Sequence, residues 1–163
     1  KAFKSVAHQI AMLEHYLMIL ILGGFPIAEV RGSIIYAAAL NINLWHAFAI
    51  GAIGNIIAIP IIFLVLGRLN LLSLAKRLFG KRTYLKIEKH QHHIDRWGVL
   101  ALLIFVAIPL PFTGGWTGAF VATLLKMDKK KSFLVIALGI LIAGLITIAA
   151  VQSTITGLTI LNQ

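Results

Sequence analysis

A chain of 163 residues that is 60% hydrophobic and only 12% charged, with mean hydropathy +0.94, is far more apolar than a soluble domain, which carries roughly 45–50% apolar and about 25% charged residues. The charges cluster and leave uncharged runs at Gly32–Gly67 and Trp97–Leu125, so the composition specifies a polytopic membrane protein built as one compact bundle. With no cysteine it excludes disulfide and thiol chemistry, and its net charge of +10 reads as positive cytoplasmic loops rather than as a nucleic-acid surface.

The first apolar stretch, Ile10–Leu22, follows His8 and contains Glu14 and His15. It has no small-residue cleavage pattern and does not read as a signal peptide. It is broken by Gly23-Gly24-Phe25-Pro26-Ile27-Ala28-Glu29-Val30-Arg31-Gly32, and Ser33–Leu40 leads back out. Gly and Pro clusters of this kind are not ordinary helix interior, since Pro lacks an N–H and Gly is conformationally loose. Trp45–Leu66 is long enough to span, at ~20 apolar residues, and contains Pro60, which predicts a kink. A basic connector, Arg68–Arg96, follows. In it Leu71, Leu74, Ala75 and Leu78 recur at helical spacing among Lys76, Arg77, Lys81 and Arg82. This reads either as an amphipathic helix lying on anionic lipid or as a solvated helix packed on the bundle. His90, His92 and His93 fall on the same connector and read as a solvated face rather than as metal ligands.

Trp97–Ala107 then runs about 11 residues into Pro109-Leu110-Pro111-Phe112-Thr113-Gly114-Gly115-Trp116, and Trp116–Leu125 runs about 10 residues out. Each piece is half a membrane thick at ~1.5 Å per residue. Two half-length helices around a tight turn predict a re-entrant hairpin; the alternative is one kinked spanning helix. After Lys126–Lys131, Ser132–Gln152 predicts a second span. Placing both basic loops in the cytoplasm makes the second broken segment start and end inside, and the first start and end outside. The predicted fold is therefore an all-α membrane domain of two inverted repeats, about residues 8–67 and 97–152, each a re-entrant hairpin plus a spanning helix. Lys1 and Lys4 sit on the wrong side in this arrangement, and a spanning first segment removes that conflict.

Broken segments in corresponding halves of a membrane chain point to a substrate site. Glu29 and Arg31 are the only acid and base deep in such a segment. A charge at the bilayer centre costs roughly 2.5–3.5 kcal/mol on insertion scales, so such residues pair, face water or bind something. The returning half-helices start near Gly32 and Trp116, and their N-termini offer N–H groups and partial positive charge. Thr113 is placed to cap the second of them. Together with Arg31 they make an anion site, in which Glu29 either neutralises Arg31 or exchanges a proton with substrate. Gly32, Gly114 and Gly115 are expected to permit tight turns, positive φ or close backbone approach. Asn55, in mid-span beside Gly54, bonds either a hairpin-tip carbonyl or a neighbouring helix. Trp116 and Thr117 line the same turn, with Trp116 equally suited to packing. Asp95 and Arg96 read as a surface pair. No nucleophile–base set, phosphate loop or zinc spacing is present, so the reading is not an enzyme and needs no metal or cofactor.

The strings Glu29-Val-Arg-Gly-Ser-Ile-Ile-Tyr-Ala, Gly54-Asn55 with Pro60, Ile94-Asp95-Arg-Trp-Gly and Ala107-Ile-Pro-Leu-Pro-Phe-Thr-Gly-Gly-Trp-Thr-Gly-Ala resemble the small multidrug export family, over nearly the whole chain. Ile35 departs from it, standing where many members have Pro. The family is bacterial and archaeal, and its name implies drug efflux. It is also distantly similar to the DedA membrane proteins, which have paired re-entrant hairpins and are linked to moving lipid phosphates. The expectation is a multi-pass cell-membrane transporter of an anionic or phosphate-bearing amphiphile, lipid phosphates included, with proton coupling through Glu29. Small-molecule or drug export is the alternative, and a non-transporting, lipid-organising protein is the other. Expected partners are anionic lipid at the connector, the substrate, and a second copy if the chain oligomerises.

The loop charges generate a topology test. Cysteines placed at Lys86 and Lys130 react with an impermeant maleimide only from the cytoplasmic side; labelling at Lys130 from outside makes the second broken segment a spanning helix.

Overall fold

A computed structural model of the protein describes residues 2–68, 97–110 and 113–161. The connector helix, its histidines and the Asp95–Arg96 pair lie outside the described residues. Every regular element described is helical. α1 is Ala2–Gly24, α2 Glu29–Ala39, α3 Leu44–Arg68, α4 Val99–Ala107, α5 Gly115–Leu124 and α6 Lys129–Leu161.

α3 and α6 are long and apolar enough to cross a membrane. α3 extends the predicted Trp45–Leu66 span by a residue or two at each end and holds Pro60 inside it. α6 is 33 residues, ~50 Å, and runs nine residues past the predicted end at Gln152. In its polar tail Ser153, Thr154, Thr156 and Thr159 each donate to the carbonyl four residues back, at 2.8–3.0 Å, so their hydroxyls are satisfied within the helix. The broken segments differ from each other. α4 and α5 are 9 and 10 residues, as expected of half-length arms. α1 is longer than its predicted arm, with an apolar part at Gln9–Gly24 that reaches ~24 Å.

The chain divides into two compact units. The first comprises residues 1–55 and 143–163. In it α1 packs on α2, around a core of Ile19, Ala37, Ile42 and Ala47. Tyr16 and Tyr36 lie against that core. Polar ring pairs tie these helices together: His15 Nδ1 with Tyr36 Oη at 3.0 Å, and Tyr16 Oη with His46 Nδ1 at 3.4 Å. A tighter join lies further along. A Cβ on Gly23 would strike the carbonyl of Gly51, and one on Gly51 would sit 2.6 Å from both Cβ and Oγ of Ser33. One on Gly54 would strike the carbonyl oxygen of Leu20. Three helices therefore meet almost backbone to backbone.

The second unit comprises residues 56–142. Here α4 packs on α5, and the join is made by larger side chains. A Cβ on Gly118 would come within 2.7 Å of Val106 Cγ2 and 3.4 Å of Ile136 Cγ1. One on Gly139 would come within 2.8 Å of Val106 Cβ.

The two halves share a burial register. Val30, Ser33, Ile34 and Ala37 are buried on α2, and Gly115, Gly118, Ala119 and Ala122 are buried on α5, each 85 positions later. The same shift carries Ala47, Gly51, Asn55, Ala58, Ile59, Ile62 and Phe63 of α3 onto Ser132, Ile136, Ile140, Ala143, Gly144, Thr147 and Ile148 of α6, all buried. Both returning helices also end alike. Asn41 (φ 54°) and Lys126 (φ 53°) take the left-handed conformation. The next residue bonds back to the last turn in each case: Ile42 N to Ala37 O and Met127 N to Ala122 O, both at 2.9 Å. Asn43 and Asp128 then cap α3 and α6 through side-chain oxygens, accepting from Trp45 N at 2.9 Å and Lys131 N at 2.8 Å.

These joins predict where bulk is not tolerated. Gly118→Val and Gly139→Val lower the melting temperature of the detergent-purified protein by the several degrees that ~1–3 kcal/mol of overpacking produces. Gly157→Ala, with open space around it, is neutral or slightly stabilising. Equal responses at all three positions would show that the close approach is not what holds the second unit.

Candidate functional site

The break after α1 follows from its residues. Pro26 cannot continue the helical ladder, so the chain turns on Phe25 N to Leu22 O at 3.1 Å and Glu29 N to Phe25 O at 3.0 Å. Glu29 begins α2 with φ 51°, a conformation that non-glycine residues adopt at a cost of about 1–3 kcal/mol. Gly32 N donates to Ala28 O at 2.7 Å, and a Cβ on Gly32 would sit 2.6 Å from that of Ala28. The Cβ of Ala28, one turn back, thus occupies the space that a side chain at Gly32 would need.

This turn aims two charges inward. Arg31 and Glu29 form an ion pair at 3.8 Å, with side chains 16% and 8% exposed. The pair is loose rather than bidentate. Ser33, which the sequence analysis passed over, holds the turn in place: its Oγ donates to Ile19 O on α1 at 2.7 Å. The signal for it was a small polar residue inside an apolar helical stretch, which in lipid marks a helix–helix contact.

Asn55 belongs to the same unit and is fully buried. Gly51 lies against Val30 and Ser33, and Gly54 lies against Leu20 and Gly24, so Asn55 falls on α3 at the level of the turn. Neither atom of its amide has a hydrogen-bond partner among the described residues. An unmatched buried amide costs about 1–3 kcal/mol. Neither reading of Asn55, a bond to the hairpin tip or a helix–helix bond, is realised.

The second turn lies in the other unit. Thr113 does not cap α5. Its hydroxyl accepts from Leu110 N at 3.2 Å and reaches the carbonyls of Ile108 (2.7 Å) and Leu110 (2.9 Å), closing the proline-rich turn on itself. Pro109 and Pro111 supply no N–H, so the turn takes its bonds from the threonine instead. The N-cap of α5 is Gly114, whose φ of 164° is ordinary extended backbone. Of the two conditions expected at Gly114 and Gly115, positive φ or close backbone approach, positive φ does not occur at Gly114; Gly115 is the first residue of α5 and buried. Positive φ falls on Glu29, Asn41 and Lys126 instead. Trp116 is half-buried, and Thr117 Oγ1 donates to Gly114 O at 3.3 Å. No side chain caps the N-terminus of α2 or of α5. Among the described residues no group of three His, Cys, Asp or Glu is placed to hold a metal.

Two membrane-length apolar helices and a buried charged turn define a helical membrane protein. Within that class the chain belongs to the family described as putative small multi-drug export protein, which matches residues 29–146. The match starts at Glu29, the first residue of α2, and takes in the second turn and the first 18 residues of α6. No curated protein and no solved structure matches the chain.

The orphaned amide separates a folding role from a binding role. Asn55→Leu, close in volume and without polar atoms, leaves the melting temperature equal or higher, because it removes an unmatched buried group. A fall of several degrees would assign Asn55 to the fold.

Proposed function

We propose that the chain is a multi-pass membrane transporter of two inverted repeats, and that substrate binds where the first hairpin turn meets α3. The observation that carries this reading is the buried Glu29–Arg31 pair on a strained turn, level with an amide that no described group satisfies. Strain and unmet polarity persist where function needs them. The shared 85-residue burial register supports the repeat, and the half-length α4 and α5 support re-entry. Insertion from opposite faces rests on the basic loops.

Arg31, Asn55 and the uncapped N-terminus of α2 suit an anion carried on an amphiphile. Lipid phosphates fit, since a phosphate accepts from guanidinium, amide and backbone N–H together. An anion reaching Arg31 displaces Glu29, which then takes a proton rather than remain a lone buried charge. Binding so coupled to proton uptake is what an exchanger or symporter requires. The family's description favours a second reading, export of small drug molecules. In that case Glu29 meets the substrate and Arg31 is its resting partner.

A binding screen on purified protein distinguishes them, with dihexanoyl phosphatidic acid as the anionic probe and tetraphenylphosphonium as the cationic one. On the first reading the phosphatidate binds. Glu29→Gln keeps binding but abolishes its pH dependence, and Arg31→Gln weakens binding tenfold or more at every pH. Preference for tetraphenylphosphonium, lost in Glu29→Gln, establishes the second. If both variants unfold and neither changes affinity selectively, the pair is structural and the chain does not transport through this turn.

A further inference from the structure

The other unit carries a groove of its own. Pro60, Phe63 and Leu64 of α3 and Phe133 and Leu134 of α6 wall an open groove of about 560 Å³, within the range of about 300–1,000 Å³ that small ligands fill. Its lining is almost wholly apolar, except at one end, where Lys129 and Lys130 enter it. Phe63 forms a buried floor, while Leu64 and Leu134 stand 64% and 66% exposed on the walls. Lys129 lies over the end of α3: its Nζ is 3.5 Å from where a Cβ of Gly67 would sit. The neighbouring carboxylate, Asp128, is engaged in capping α6 through Lys131 N.

We infer that this groove seats one anionic phospholipid, its phosphate between Lys129 and Lys130 and an acyl chain along Phe63 and Phe133. Charge complementarity selects the occupant. A free phosphate would leave the apolar walls uncovered, and a zwitterionic phospholipid would bring its own ammonium up against the two lysines. The arrangement, an apolar groove with cations at the membrane–water boundary, is the one by which helical proteins retain acidic lipids. The basic connector adds general attraction, but the groove fixes stoichiometry. This inference does not rest on the substrate reading above.

Native mass spectrometry of the detergent-purified protein tests it, with dioleoylphosphatidylglycerol and dioleoylphosphatidylcholine added in turn. One phosphatidylglycerol is retained in preference to phosphatidylcholine. The double variant Lys129→Ala/Lys130→Ala weakens its retention on the order of 20-fold, from about fivefold per lysine. Lys131→Ala, which does not line the groove, changes it less than twofold. All three lysines are exposed at the start of α6, so none of these variants threatens the fold. Equal retention of the two lipids, an equal loss in Lys131→Ala, or full competition by glycerol phosphate would each overturn the inference.

Discussion

The contact on which the first unit depends is the near backbone-to-backbone meeting of Gly23, Gly51 and Ser33. In lipid, apolar surface gives helices little reason to associate, so close packing and internal hydrogen bonds must do so. Any Cβ at Gly23 or Gly51 would separate α1, α2 and α3. Ser33 adds a hydrogen bond across the join, to Ile19 O. Once these helices are locked, the turn between α1 and α2 has little freedom. Glu29 is held at positive φ, and its carboxylate and the Arg31 guanidinium are held in the protein interior.

The second unit meets the same geometric requirement with different residues. Positions 106, 118 and 136 there are Val, Gly and Ile, where the first unit has Gly, Ser and Gly at 23, 33 and 51. Bulk has moved from one partner to another, while one small residue stays at each contact. The second turn is also two residues longer between corresponding buried positions, from Val106 to Gly115 rather than Gly23 to Val30. Its extra length is the proline-rich stretch that Thr113 closes on itself.

What the sequence made legible follows from what a bilayer demands. The two spanning helices, the half-length α4 and α5 and the buried charges at 29 and 31 were readable, because length, hydropathy and misplaced charge are strong signals in lipid. The 85-residue repeat was readable only roughly, since conserved burial was carried by different residue types, Ser33 against Gly118 and Gly51 against Ile136. In the second turn positive φ, one of the two conditions expected to call for glycine, does not occur at Gly114. Glycine suggested positive φ at Gly114, yet the left-handed residues are Glu29, Asn41 and Lys126. At 41 and 126 the helix C-terminus imposes that conformation through its carbonyls, whatever the side chain. Glu29 has no such excuse, and the local sequence gave no sign of it. The length of α6 beyond Gln152 was missed because Ser and Thr lower hydropathy without ending a helix when they bond their own carbonyls.

The asymmetry between the halves bears on mechanism. A pair of repeats with equivalent charged turns would offer equivalent sites on the two sides. This chain has one charged turn, held by a glycine join, and one neutral turn, closed by a hydroxyl. The corresponding positions for Glu29 and Arg31 in the second half are Gly114 and Trp116, neither of which carries charge. Asn55 likewise becomes Ile140. Every polar feature of the candidate site therefore lies in one repeat, and the other keeps the burial register without the chemistry. At these positions the second half meets a requirement of volume alone, whereas the first half also places an acid, a base and an amide at one level of the fold.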